Sequence, residues 1–182
     1  MAQTFKEVPA ELLHKFMDVL TGDNAVLLSS GNIDLYSSAV ASCRFISELT
    51  FKKVAACFIR PQKHVLRIID RNEHFTLSYF PLKYRYILDF FGSKSNAAVN
   101  ATIENIKPMA TESGNIFYPQ SELVIECRKI SNLELILSKE VQSIMSNEKR
   151  REIYPGGEAP RMYIGEVQHF WMKVGDQRLL NK

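Results

Sequence analysis

Three basic residues, Arg60, Lys63 and His64, lie within five positions of the sequence. They follow an apolar run of strand length and precede a segment with helical spacing, which predicts a turn leading into a helix. The first turn of a helix leaves backbone N–H groups unpaired and carries partial positive charge, so it suits an anion. Arg60 and Lys63 are therefore candidates for binding a phosphate. The alternative is a solvated turn with extended basic side chains.

Two further segments have the composition of a binding site. Residues 91–95 read Phe-Gly-Ser-Lys-Ser and offer a glycine turn, two hydroxyls, an ammonium and consecutive backbone N–H groups for phosphate oxygens. Residues 37–42 read Ser-Ser-Ala-Val-Ala-Ser and predict a strand of small side chains that a flat ring can approach closely. The alternatives are a helix C-cap followed by a polar loop, and tight packing inside a barrel.

The sequence contains no recognisable catalytic or metal-binding motif. Its four histidines and three cysteines lack metal-ligand spacing, and there is no nucleophile elbow, Walker loop or dinucleotide fingerprint. The acidic residues are singly placed, so no carboxylate pair can be assigned. Because a cofactor can carry a reaction by itself, this pattern favours chemistry supplied by a cofactor, with no catalytic side chain.

Length and composition predict one globular domain over residues 1–182. The chain is 46% hydrophobic and 24% charged, and its net charge of +3 is too small to predict a nucleic-acid partner. The first twenty residues carry several charges, and no apolar stretch is long enough to span a membrane. We therefore expect a cytoplasmic protein with three reduced thiols and no membrane partner.

Hydrophobic periodicity predicts a mainly β protein. A helix over residues 9–21 is expected first, and the barrel then covers about 24–175. The expected strands lie at 25–30, 36–42, 54–59, 75–79, 123–128, 133–138 and 162–174, with helices at 65–71, 82–91 and within 99–106. Gly165 predicts a bulge in the last strand, and residues 146–160 predict a loop. Short strands with inserted helices predict an antiparallel barrel with flanking α-helices.

The three candidate segments, in this order, resemble those of the flavin reductase-like family of FMN-binding split barrels. FIRPQKH resembles its Arg-Pro-x-Arg/Lys turn, RNEHFTLSYF its Asn-x-x-Phe-Thr-Leu-Ser strand, and FFGSKS its Cys-Gly-x-x-Ser segment. NAVLLSSGN, LVIECRKI and MYIGEVQHFWMKV resemble three further strands of the family. The similarity extends from Asn24 to about Val174 and implies a Greek-key-like antiparallel split β-barrel.

The resemblance also implies FMN as the cofactor and three groups of residues that bind it. The first group lies along the ring and ribityl chain, the second surrounds the phosphate, and the third closes the site. The first group is Ser37, Ser38, Ala39 and Val40. The second is Arg60, Gln62, Lys63 and His64, and the third is Gly92, Ser93, Lys94 and Ser95. Trp171 is expected in the barrel core or an interface, with a place beside the ring as the alternative.

The function implied is that of an NAD(P)H-dependent flavin reductase or a flavoredoxin-like electron-transfer protein. NADH or NADPH is the expected donor, a small molecule is the acceptor, and a homodimer holds the cofactor near its interface. Two departures favour an alternative, a non-catalytic flavin- or anion-binding split barrel. Ala39 and Val40 stand where the family prefers Met and Thr, and residues 96–101 are neutral where it has four charges. A structural dimer without cofactor is the third possibility.

Overall fold

The structure, a computed structural model, describes residues 5–16, 25–49, 51–59, 63–93, 100, 103, 105–136, 138–153 and 159–175. Its strands are β1 (Phe5–Glu7), β2 (Ala25–Gly31), β3 (Tyr36–Leu49), β4 (Lys52–Ile59), β5 (His74–Tyr79), β6 (Met109–Ala110), β7 (Ile116–Phe117), β8 (Leu123–Glu134) and β9 (Arg161–Lys173). Its α-helices are α1 (Lys63–Arg71), α2 (Arg85–Ser93), α3 (Lys139–Ile144) and α4 (Asn147–Ile153), and 3₁₀ helices cover Ala10–Phe16 and Leu82–Tyr84.

Six strands close into an antiparallel barrel. Their order is β9–β4–β3–β2–β5–β8, and β8 pairs again with β9, which completes the ring. The short strand β1 adds to β9 beyond the end of its pairing with β4. Closure leaves most ladder groups paired and limits exposed sheet edges. The predicted antiparallel barrel with flanking helices is therefore confirmed.

The barrel interior is apolar because alternate residues of each strand point inward. In β3 the inward residues are Ala39, Ala41 and Cys43, all buried in one cluster. Helix α1 packs against the same cluster through Val65 and Ile69. The three cysteines are buried in this interior and form no disulfide.

Gly165 lies where the side chains of Cys127 and Phe75 come close to the backbone of β9. A Cβ at this position would lie 2.6 Å from Cys127 Cβ and 2.6 Å from Phe75 Cζ. The last strand does contain a register shift, but its extra residue is Gln168. Gly165 itself is paired on both sides, and Ile130 of β8 is the extra residue opposite Gly165 and Ile164. The glycine serves close packing, because a side chain would have no room.

A second apolar cluster covers the outer face of β2 and β3. Helix α2 contributes Ile87, Leu88 and Phe91, which pack with Leu27 of β2 and with Tyr118. The hydrophobic spacing of residues 82–91 thus predicts a helix correctly, although its first turn is 3₁₀. This helix fixes the third candidate segment, because Gly92 and Ser93 form its last turn.

Two predictions for the second half of the chain are wrong. Residues 123–138 do not form a strand pair, because β8 is one strand that pairs with β9 from Leu123 to Glu134, with two register shifts. Its polar residues resemble a turn in sequence but form the exposed part of one strand. The predicted loop at 146–160 contains the helix α4. In the first case, pairing with a distant strand outweighs local composition.

Two predicted helices, within residues 99–106 and over residues 9–21, differ from the structure. Between residues 99 and 106, the described positions Asn100 and Asn105 have left-handed backbone (φ 56° and 63°), so they do not continue an α-helix. The helix expected over residues 9–21 is a 3₁₀ helix at Ala10–Phe16, and residues 17–24 lie outside the described part. None of the helices in the described ranges is long and apolar enough to cross a membrane.

Glu166 joins β9 to its two neighbouring strands through ion pairs. Its carboxylate oxygens lie 2.8 Å from Lys52 Nζ and 2.6 Å from Arg128 Nη2. The hydrogen bonds from Lys52 and Arg128 lower the pKa of Glu166 from 4.5 to about 2. A folded-state pKa below the unfolded value means that this stabilisation is present above pH 4.5 and is lost as the pH falls through 2.

We expect Glu166→Gln to lower the melting temperature at neutral pH, because the glutamine cannot form the ion pairs. The difference from the original protein should shrink as the pH falls from 4.5 towards 2, since the carboxylate then becomes protonated. Thermal unfolding of both proteins across this pH range measures the effect. A difference that does not change with pH would contradict the assigned role.

Candidate functional site

Strand β3 carries the first candidate segment and has an open edge along it. β2 pairs with one edge of β3 from Tyr36 to Ser42, whereas β4 pairs with the other edge only from Ala41 to Leu49. Within the described ranges, no strand pairs with that second edge between Tyr36 and Val40. We call this stretch the open edge. It is about 13 Å long, since a strand rises roughly 3.3 Å per residue.

The backbone of β3 directs alternate peptide groups at the open edge. Asn100 N–H donates to Tyr36 O at 2.9 Å, and Tyr36 N–H donates to Asn100 Oδ1 at 2.9 Å, so both groups of Tyr36 face this side. Alternate residues of a strand direct their N–H and C=O groups the same way. Ser38 and Val40 therefore point theirs at the open edge, where no strand of the described ranges pairs with them.

The side chains of the first segment are mostly enclosed. Ser37, Ser38 and Ala39 are at most 1% exposed. Ser38 Oγ lies 2.8 Å from Ser29 Oγ and 3.3 Å from the Tyr118 hydroxyl. Ser37 Oγ is buried with no hydrogen-bond partner in the described structure. These three residues are therefore closed to solvent, backbone as well as side chain, and of the first segment only Val40 is partly exposed.

The third segment meets the first one at Val40. This valine is half-buried, and helix α2 packs against β2 and β3. A Cβ on Gly92, the exposed glycine in the last turn of α2, would lie 3.5 Å from Val40 Cγ2. The two segments are far apart in the sequence, yet the fold places them in contact distance. The missing side chain of Gly92 leaves the surface beside Val40 accessible.

The basic turn connects two elements that lie against β3. Ile59, the last residue of β4, pairs with Ala41 beside the open edge. Helix α1 begins at Lys63 and packs against β2 and β3. The predicted residues outside the described part are Arg60, Gln62, Lys94 and Ser95, and those described by backbone alone are Lys63, His64 and Ser93. The binding roles of all these residues stay predictions.

Sequence reasoning missed two residues at this site, Tyr118 and Asn100. Tyr118 is buried beside Ser38, its ring centroid lies 5.7 Å from that of Phe91, and burial raises the pKa of its hydroxyl. Its position depends on the β6–β7 hairpin, whose two-residue strands leave no periodic signal in the sequence. Asn100 belongs to segment 96–101, whose loss of the four charges of the family pattern suggested a site without function.

The accessible surface beside the open edge has the right character for a flat ring. Ser42 is half-buried, and so are its cross-strand neighbours Ala25 and Phe58. With Val40 they form a mostly apolar strip on the outer face of the barrel. Small and apolar side chains let a planar ring lie against a strand. The residues present therefore fit a planar cofactor over Val40–Ser42, bonded to the open edge.

Trp171 has a packing role in the structure. It is buried with Phe5 and Phe117 in a third apolar cluster, and its ring stacks on His169 at a centroid distance of 5.2 Å. His169 Nδ1 lies 2.8 Å from the Glu7 carboxylate. The tryptophan is therefore buried, but in a cluster separate from the barrel interior, where its neighbours Phe170 and Met172 lie. In the part of the chain that the structure describes, no group of His, Cys, Asp or Glu residues is arranged to hold a metal ion.

The solved structures that align with this chain include flavoredoxins and proteins described as FMN-binding. A flavoredoxin from Methanosarcina acetivorans aligns with a TM-score of 0.60 at 12% identity, over 83% of this chain and 69% of that one. An FMN-binding domain of a flavin reductases-like enzyme from Shewanella baltica aligns with a TM-score of 0.56 at 13% identity, over 92% of this chain and 76% of that one. An FMN-binding protein from Thermus thermophilus with bound p-hydroxybenzaldehyde aligns with a TM-score of 0.60 at 11% identity, over 87% of this chain and 75% of that one.

No protein-family model matches the sequence, and no curated protein does. Identities of 10–15% establish the fold and leave the activity to be argued from the site. The chain has the split-barrel fold of flavin reductase-like FMN-binding domains, so the resemblance noted in the sequence is confirmed at the level of the fold.

Proposed function

We propose that this protein binds FMN at the open edge of β3 and acts as an NAD(P)H-dependent flavin reductase or a flavoredoxin-like electron-transfer protein. The observation that carries the proposal is that described parts of distant segments meet at one stretch of β3. The first segment forms the open edge, Gly92 lies beside Val40, and Ile59, the residue before the basic turn, pairs with Ala41. The flavin proteins with the same fold support the choice of ligand.

The side chains of this chain bind and orient the cofactor in this proposal. Arg60 forks two phosphate oxygens and Lys63 adds a point charge, while the first turn of α1 offers unpaired N–H groups. The peptide groups of Val40 bond to the polar edge of the ring. When bound, FMN would supply the redox chemistry between NADH or NADPH and a small-molecule acceptor, so no side chain would need to act as an acid or base.

A second candidate function, a flavin- or anion-binding protein without turnover, is favoured by the enclosure of the first segment. Tyr118 and the buried state of Ser37, Ser38 and Ala39 restrict the ring to the Val40–Ser42 side. The purified protein distinguishes the functions. A yellow protein that oxidises NADH or NADPH supports the reductase, a yellow protein inert to both supports the binder, and a colourless protein that takes up no added FMN contradicts both.

Arg60→Ala should weaken FMN binding about tenfold to a hundredfold, since a charge-assisted hydrogen bond contributes about 1.5–3 kcal/mol and ~1.4 kcal/mol corresponds to a factor of ten. The matched control is Arg67→Ala, which removes the same charge from an exposed position in α1. Flavin fluorescence quenching gives both dissociation constants. Riboflavin, which lacks the phosphate, should bind the Arg60 variant as well as the original protein; equal losses for both arginine variants would refute the phosphate role.

The proposal includes a homodimer with the cofactor near its interface, in the cytoplasm. In a single chain, the apolar strip around Val40 and Phe58 is only half-buried. The resemblance implies that a second copy of the chain is the partner. Light scattering with and without FMN tests this part. A monomer at all concentrations, with FMN bound, would contradict the dimer while leaving the cofactor site intact.

A further inference from the structure

Asn100 occupies the end of the open edge as a strand partner would. Its N–H donates to Tyr36 O, its Oδ1 accepts from Tyr36 N–H, and its Nδ2 donates to Asp34 O, each at 2.9 Å. One residue thus pairs with both peptide groups of Tyr36 and with the turn that precedes β3. The bonds satisfy groups that a missing strand would leave unpaired.

The backbone of Asn100 is itself unusual. Its φ of 56° lies in the left-handed region, which asparagine tolerates better than other residues with a side chain. This conformation turns the chain so that its N–H and its side chain both face β3. The contact joins β3 to the segment that follows α2, and Gly92 at the end of α2 lies beside Val40. The segment is therefore held to β3 before and after residues 94–99.

We propose that Asn100 is a positioning residue that ties the segment after α2 to β3 and thereby sets the affinity for the cofactor. Only the second part of this inference, the effect on cofactor affinity, rests on the proposed function. It also gives a reason for one departure from the family pattern, in which an aspartate stands at this position. An aspartate would keep the acceptor for Tyr36 N–H but would lose the donor to Asp34 O and place a carboxylate against that carbonyl.

The test compares three variants. Asn100→Asp removes the Nδ2 donor, and Asn100→Gly removes both side-chain bonds while permitting the left-handed backbone. The matched control is Asn105→Gly, because Asn105 has nearly the same backbone (φ 63°), is exposed and makes no side-chain hydrogen bond in the described structure. Circular dichroism and thermal unfolding establish that each variant folds.

Two readouts separate the parts of the proposal. Trypsin cleavage after Lys94, followed by mass spectrometry of the apoprotein, should be several-fold faster in both Asn100 variants and unchanged in the control. The dissociation constant for FMN should rise about tenfold or more in both, or about 1.4 kcal/mol. Riboflavin affinity should fall as well, since in the proposed function the third segment closes the site around the whole cofactor.

Unchanged cleavage after Lys94 in both Asn100 variants would overturn the tether. Faster cleavage with unchanged FMN affinity would overturn the link to the cofactor. If the original protein binds no FMN, the proposed function and the cofactor part fail together, and the cleavage rates alone decide the tether. A uniform loss of melting temperature in all three variants, with equal cleavage rates, would also count against a role specific to Asn100.

Discussion

Gly165→Ala should lose about 1–3 kcal/mol of unfolding free energy, or fail to fold, because overpacking a close-packed core forces neighbours off their preferred positions. The new Cβ would lie 2.6 Å from Cys127 Cβ and from Phe75 Cζ. Neither contact can relax cheaply, since Phe75 and Cys127 are fully buried within the barrel. Urea denaturation of the apoprotein measures the loss.

The control for this prediction is Gly92→Ala. Its Cβ would meet only Val40 Cγ2 at 3.5 Å, an ordinary contact, and alanine favours the helical backbone by up to about 1 kcal/mol. This variant should be as stable as the original protein or more stable. Equal destabilisation by the two substitutions would mean that crowding inside the barrel is not what requires Gly165.

Lys129→Met should destabilise the protein by about 1.5 kcal/mol, the lower end for hydrogen bonds to charged groups, because Lys129 is only half-buried. Its ammonium donates to three carbonyls at the end of α1, Ile69 O at 2.7 Å, Asp70 O at 2.9 Å and Asn72 O at 2.8 Å. Burial lowers the pKa of Lys129, yet these acceptors favour the charged form. Methionine keeps most of the stem but supplies no donor.

Hydrogen exchange of the α1 amides, together with urea denaturation, measures this effect. The last turn of α1 should exchange faster in the variant, since its carbonyls lose their partners and the helix end frays. Lys107→Met removes the same charge from an exposed position and should leave both measurements unchanged. Loss of stability without faster exchange in α1 would place the role of Lys129 elsewhere.

Much of the barrel can be predicted from sequence because each strand has its own pattern. The alternation in Phe75–Tyr79 and the apolar run at Val54–Ile59 locate β5 and β4, and the apolar spacing of residues 82–91 locates α2. These signals are local, since inward residues must be apolar wherever the barrel closes. The predicted flanking helices follow from the same rule with a different period.

The rest depends on pairings that local composition does not encode. The polar stretch at Lys129–Asn132 resembles a turn, and only its ladder with β9 makes it part of β8. Gly165 resembles a bulge, and only the positions of Phe75 and Cys127 explain it. The short β6–β7 hairpin carries no periodicity at all. Non-local contacts decide such segments.

The candidate site divides in the same way. Residue types predict that the segments at 37–40, 60–64 and 92–95 are suited to a phosphate and a flat ring, and the fold brings described parts of the first and third together. The open edge follows from where β4 stops pairing, which is a matter of register. The contacts of Asn100 and Tyr118 with β3 likewise require the fold, since both join residues far apart in sequence.

The most direct test of the central claim is an FMN titration of ¹⁵N-labelled protein, followed by the backbone amide resonances. If FMN binds at the open edge, the largest shifts should occur at Ser38–Cys43, at 60–64 and at 92–95. Amides of β1 and of α4 should shift little, since among the described residues β1 pairs with β9 rather than β3 and α4 has no extensive packing against β3. Saturable shifts confined to other parts of the barrel, or no shifts at all, would contradict the proposed site.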